Sequence, residues 1–153
     1  MRSLRLTLAL ALLVMMGVAV AAPGEPHTKS GPEGQEVPPG YRQVAQEHGI
    51  PPALFYAIAL TESGYGVPTS GVLRPWPWTL NIRGKGRYYP SHRAAADVLA
   101  TTVHSGETAV DVGLMQIHWH YHHGALGGIR RALDPYHNLR VGAGILAQCY
   151  QQR

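Results

Sequence analysis

The stretch DVGLMQIHWHYHH, residues 111–123, interleaves His118, His120, His122 and His123 with Trp119 and Tyr121. Four imidazoles so close together raise metal ligation first. His118 and His122 stand four apart and would share one face of a helix, a spacing that zinc ligands use. The rest of a zinc pattern is missing: no Glu lies between them as in a metalloprotease helix, and no cysteine or carboxylate follows at ligand spacing. The expectation is therefore no metal and no other cofactor. Alternation of aromatic and imidazole side chains suits an exposed strand or irregular loop, where successive residues face opposite ways. On that reading the stretch is the polar wall of a groove.

The acid that such a groove would serve is Glu62. Between Tyr41 and the C-terminus only six acidic residues occur: Glu47, Glu62, Asp97, Glu107, Asp111 and Asp134. Glu62 alone ends an apolar helical run, with Leu60 before it and Ser63, Gly64 and Tyr65 after it. A carboxyl at that junction is partly desolvated, which raises its pKa towards the range a general acid needs near neutral pH. The bland alternative is a solvated carboxylate at a helix end.

The elements that must position these residues read as mostly helical. YRQVAQEHG gives a short helix stopped at Gly49. PPALFYAIALTES gives a second, with Pro51 and Pro52 in its first turn and Leu54, Ala57 and Ile58 facing inward. In WTLNIRGKGRYY, Gly84-Lys85-Gly86 separates two β-prone runs as a hairpin would. Ser91 caps a helix running to about His104 with Gly106 as its stop, and a further helix spans about Gly124 to Ala132. Asp134-Pro135 opens the last. The expected class is mainly α (α+β) with a small β-hairpin insertion.

Residues 1–21 do not belong to that fold. Arg2 and Arg5 precede an apolar run from Leu6 to Val20, and Ala19-Val20-Ala21 supplies a small-x-small cleavage pattern. This predicts a cleaved signal peptide, a periplasmic mature protein and no integral membrane span after cleavage. Residues 22–40, with five Pro and four Gly after Ala22, predict a disordered leader, so the folded domain is expected over 41–153. Without Arg2 and Arg5 the charge falls from +4 to about +2, too mild for a nucleic-acid partner. The single cysteine, Cys149, excludes an internal disulfide.

The helix-end ES pair, GLMQI about fifty residues later, and then LDPYHNLRVGAGIL occur in the order of the lytic transglycosylases with a lysozyme-like soluble-transglycosylase domain, which residues 50–150 resemble. RPWPWTLNIRGKGRYY further resembles a subgroup from conjugative elements and plasmids, in which an insertion separates the first two motifs. The resemblance implies a lysozyme-like fold, peptidoglycan glycan strands as substrate, and components of a conjugation or secretion system as partners. It implies Glu62 as the sole catalytic acid. Gln116 would offer its amide to sugar hydroxyl or N-acetyl groups, and Met115 would belong to the substrate-binding set from the inner side. Trp119 and Tyr121 would present flat faces to sugar rings, and Ser63 would orient Glu62 or touch the sugar.

The family also carries a later Tyr-containing segment, whereas this chain ends at CYQQR. That implies a C-terminally truncated domain or a Glu62 short of one positioning partner. The implied reaction cleaves between N-acetylmuramic acid and N-acetylglucosamine and closes a 1,6-anhydro ring. Two alternatives stay open: a hydrolytic muramidase using Asp111 as second carboxylate, and a non-catalytic glycan-binding assembly protein.

Overall fold

The computed structural model describes residues 36–66 and 71–151. The expected signal peptide and nearly all of the expected leader lie outside the described residues. Within them, no helix is long and apolar enough to cross a membrane. Helix α1 (Pro39–Glu47) starts ahead of the expected Tyr41, with proline in its first turn. Arg42 steadies this start by donating to Glu36 Oε1 (3.1 Å) and to the Val37 carbonyl (3.2 Å).

Helix α2 (Pro52–Ser63) begins at its proline as expected but buries a different face: Phe55, Tyr56, Ala59 and Ser63. Leu54 is 41% exposed and Ala57 is exposed too. The helix is apolar nearly all round, so its own periodicity selects no face. Helix α1 selects it, through Tyr41 packed on the rings of Phe55 (6.3 Å) and Tyr56 (4.9 Å).

Two antiparallel sheets follow, where a lone hairpin was expected. Strands β1 (Gly64–Gly66) and β2 (Leu73–Pro75) form a two-stranded ribbon. Strands β3 (Thr79–Ile82) and β4 (Lys85–Tyr88) form the anticipated hairpin, but Arg83 and Gly84 make its turn, with φ of 51° and 78°. Both central residues are left-handed, as a two-residue primed turn requires, so Lys85 and Gly86 pair within the strand. After helix α3 (His92–His104), capped by Ser91 Oγ accepting from the Ala94 amide at 3.2 Å, the chain returns to this sheet. Strands β5 (Val110–Val112) and β6 (Ile117–His118) complete the order β4-β3-β5-β6.

The histidine stretch is not a strand or loop beyond His118. Helix α4 (Trp119–Leu126) carries His120, Tyr121, His122 and His123. The expected Gly124–Ala132 helix is two helices, α4 and α5 (Ile129–Ala132), broken where Gly127 and Gly128 take φ of 69° and 101°. Helix α6 (Pro135–Gln151) starts as expected, Asp134 Oδ1 accepting from the His137 amide at 2.8 Å. Phe55, Leu80, Leu99, Leu126 and Leu133 are fully enclosed between the sheet and the helices. Each such side chain contributes about 1.5–3 kcal/mol by burial. The mainly α, α+β architecture is thus present, with more sheet than the sequence suggested.

Candidate active site

Glu62 occupies the last turn of α2, and the residue beside it sets its place. Ser63 is fully buried, and its hydroxyl reaches the carbonyls of Ala59 (3.1 Å) and Leu114 (2.8 Å). It therefore cannot touch a sugar, which corrects one expectation. What it does is staple the end of α2 to the turn that follows β5.

That turn, Gly113–Gln116, is held from below by α6. Asn138 is 1% exposed; its Oδ1 accepts from the Met115 amide (2.9 Å), and its Nδ2 donates to the carbonyls of Val112 (2.9 Å) and Ala132 (3.0 Å). Gly113 lies so close that a Cβ there would sit 2.5 Å from Asn138 Nδ2. Met115 is buried against Gly142, where a Cβ would fall 2.6 Å from the Met115 Cγ. Met115 is thus a core residue on the inner side of the turn, not the substrate-binding residue expected. Gln116 takes φ 45°, a strained value for a non-glycine residue and one that clusters at functional sites. Its Nε2 donates to Gly113 O (2.8 Å) and Thr79 O (3.3 Å), which leaves the Oε1 acceptor for a ligand.

The four-stranded sheet carries the second carboxylate of the site. Leu80, Val112 and Ile117 align across β3, β5 and β6 on the core face. Because side chains alternate, Asn81, Asp111 and His118 align on the other face. His118 Nδ1 lies 2.8 Å from Asp111 Oδ1, and Asn81 Oδ1 is buried with no hydrogen-bond partner. Glu62 is open to solvent, and among the described residues nothing bonds to its carboxyl. Its pKa is nonetheless raised above the usual carboxylate value, first by desolvation and second by the negative charge of Asp111. The structure therefore brings Asp111 within electrostatic reach of Glu62, which sequence left open.

His120 and His123 are committed elsewhere. His120 Nδ1 pairs with Thr108 Oγ1 (3.0 Å), and His123 Nδ1 with the carbonyls of Trp119 and His120 (3.3 Å each). Burial holds the His122 pKa below its usual value, with His118 adding to the effect. Among the described residues, no group of three His, Cys, Asp or Glu side chains could hold a metal ion.

Trp119 and Tyr121 separate. Trp119 is 7% exposed and belongs to the core, so its face is not available to a sugar. Helical geometry is the reason: residues two apart on α4 point to different sides, where a strand would have aligned them. Tyr121 is 61% exposed, with its ring 5.2 Å from His118 and 4.9 Å from His120. Sequence reading missed a second aromatic group, Tyr65, Trp76, Trp78 and Tyr88, whose rings meet beside the end of α2. The only signal was the WPW run itself, which spacing could not connect to Tyr65 and Tyr88.

Comparison with curated proteins and with solved structures returned no match. The family model for the transglycosylase SLT domain matches residues 41–153, the whole described domain from the first turn of α1 onward. With an acid at the end of α2 stapled to a GLMQ turn, and that turn pinned by the last helix, the chain belongs to the transglycosylase SLT domain family.

Proposed function

We propose that this protein is a peptidoglycan lytic transglycosylase in which Glu62 acts first as acid and then as base. Family membership supports peptidoglycan as the polymer. The observation that carries the reading is the 2.8 Å bond from Ser63 to the Leu114 carbonyl. It holds the Glu62 end of α2 against the Gln116 turn, with the carboxyl open to a ligand.

Protonated Glu62 gives its proton to the glycosidic oxygen as the bond from that oxygen to the muramoyl C1 breaks. The substrate acetamido group stabilises the cation. Glu62, now a carboxylate, takes the proton of the muramoyl 6-hydroxyl while O6 bonds to C1, so no water is consumed. The 6-hydroxyl is held by its own ring at high effective concentration, which a free water must match by being positioned. Gln116 Oε1 can accept from a sugar hydroxyl or acetamido N–H, and the Tyr121 ring offers an exposed flat face.

One observation favours a second reading. Asp111 is close enough to raise the Glu62 pKa, and a second carboxylate near the acid could activate water for a hydrolytic muramidase. The signal character of residues 1–21 supports a periplasmic place of work. The likeness of RPWPWTLNIRGKGRYY to conjugative-element enzymes supports local wall opening for a conjugation or secretion apparatus, by analogy alone.

Digestion of purified peptidoglycan decides between these. The expected products are anhydro-muropeptides, each lighter by a water molecule than the hydrolytic product, and Glu62→Gln should lower their release by at least about 100-fold. Reducing-end muropeptides would make the protein a muramidase with Asp111 in its site. No release by the native chain would leave a glycan-binding protein.

A further inference from the structure

Four rings stand together on the strand side of Glu62. Tyr65, three residues beyond it, lies 4.8 Å from Tyr88 on β4 and 5.4 Å from Trp76. Trp76 meets Trp78 edge-on at 5.5 Å. Trp78 packs against the hydrophobic core and anchors the group. Tyr65 and Trp76 are half-buried and Tyr88 is 46% exposed.

Two polar edges of this wall are already used. The Trp76 indole N–H donates to the Tyr89 carbonyl (2.7 Å), and the Tyr88 hydroxyl donates to the Gly64 carbonyl (2.7 Å). What Trp76 and Tyr88 leave for a ligand is chiefly carbon. The wall is also tied to the acid: the Trp76 amide donates to the Ser63 carbonyl at 2.9 Å, and Gly64 and Tyr65 continue directly from α2. Two of its attachments thus fall on the two residues that follow Glu62.

We infer that Tyr65, Trp76 and Tyr88 form a stacking subsite for one pyranose ring of the glycan strand, adjoining the bond at Glu62. The inference rests on the glycan-cleaving reading of Glu62. A pyranose fits because one of its faces carries mainly C–H groups, which pack on aromatic carbon and need no hydrogen-bond partner there. Continuity of the wall with the Glu62 segment is what selects the glycan over an unrelated apolar partner. Rigid attachment fixes which sugar along the strand meets the acid, so ring contact converts into register.

The test uses the full chain carrying Glu62→Gln, which binds without consuming, and N-acetylglucosamine tetramer as probe, followed by tryptophan fluorescence. Tyr88→Ala and, separately, Tyr65→Ala should each weaken binding roughly tenfold. Tyr88→Phe keeps the ring and loses only the bond to Gly64, so it should restore most of the affinity. In the active chain on soluble uncrosslinked glycan strands, Tyr88→Ala should raise KM far more than it lowers kcat. Unchanged binding in both alanine variants overturns the subsite, as does a Tyr88→Phe loss equal to that of Tyr88→Ala. Tetramer binding that depends on the rings in a native chain unable to cleave peptidoglycan would sink the Glu62 reading and keep the subsite. Cleavage with unchanged KM would do the reverse.

Discussion

Asn138→Ala should unfasten the turn that faces Glu62. The Asn138 side chain satisfies three backbone groups at once: the Met115 amide and the carbonyls of Val112 and Ala132. All three bonds are buried, and alanine reaches none of these groups. A buried backbone group that loses its partner costs about 1–3 kcal/mol, least where water can enter. Three such losses give roughly 3–5 kcal/mol if some water follows the deletion. That is a large part of the 5–15 kcal/mol on which a domain of this kind rests. At about 4–8 °C per kcal/mol for a small domain, the thermal midpoint should fall by roughly 12–40 °C. Urea unfolding followed by circular dichroism measures the loss directly. A decrease below about 1 kcal/mol would refute the reasoning, since it would mean that the Gly113–Gln116 turn holds its shape without α6.

Two further outcomes follow from the same contacts. Glu62 has its pKa raised first by desolvation and second by Asp111, so it stays protonated to higher pH than an ordinary carboxyl. Cleavage that needs the protonated acid is then complete below that pKa and lost as pH rises through it. Asp111→Asn removes the second cause and should move the alkaline limb of the rate profile to lower pH; an unmoved limb would show that Asp111 does not act on Glu62. Gly142→Ala forces a Cβ to within 2.6 Å of the Met115 Cγ, close to the backbone where the side chain cannot swing away. Overpacking of about 1–3 kcal/mol should outweigh the gain of up to about 1 kcal/mol in helix propensity, leaving a less stable and less active protein. A thermal midpoint at or above that of the native chain would contradict this.

Features whose cause is local were legible along the chain. Pro52 opens α2 because its ring presets a first-turn φ, and Ser91 and Asp134 cap α3 and α6 through bonds between residues three apart, all of which can be read from the chain. Glu62 was legible for the same reason, as the one carboxyl at the end of an apolar helix. The order of ES, GLMQ and the last helix carried the family.

Features that depend on a partner distant in the chain emerged only with the fold. Which side of α2 faces inward was set by α1, since a helix apolar on every side carries no preference. Trp119 went to the core and Tyr121 to the surface because the stretch after His118 is a helix, and a short alternating run does not distinguish the two periods. Ser63 became a buried staple only when Leu114 came to meet it from 51 residues away. Asp111 joined Asn81 and His118 through strand register, and Tyr65 joined Trp76 and Tyr88 through two separate sheets. Spacing along the chain fixes neither, because register is chosen by the hydrophobic face that the sheet must bury.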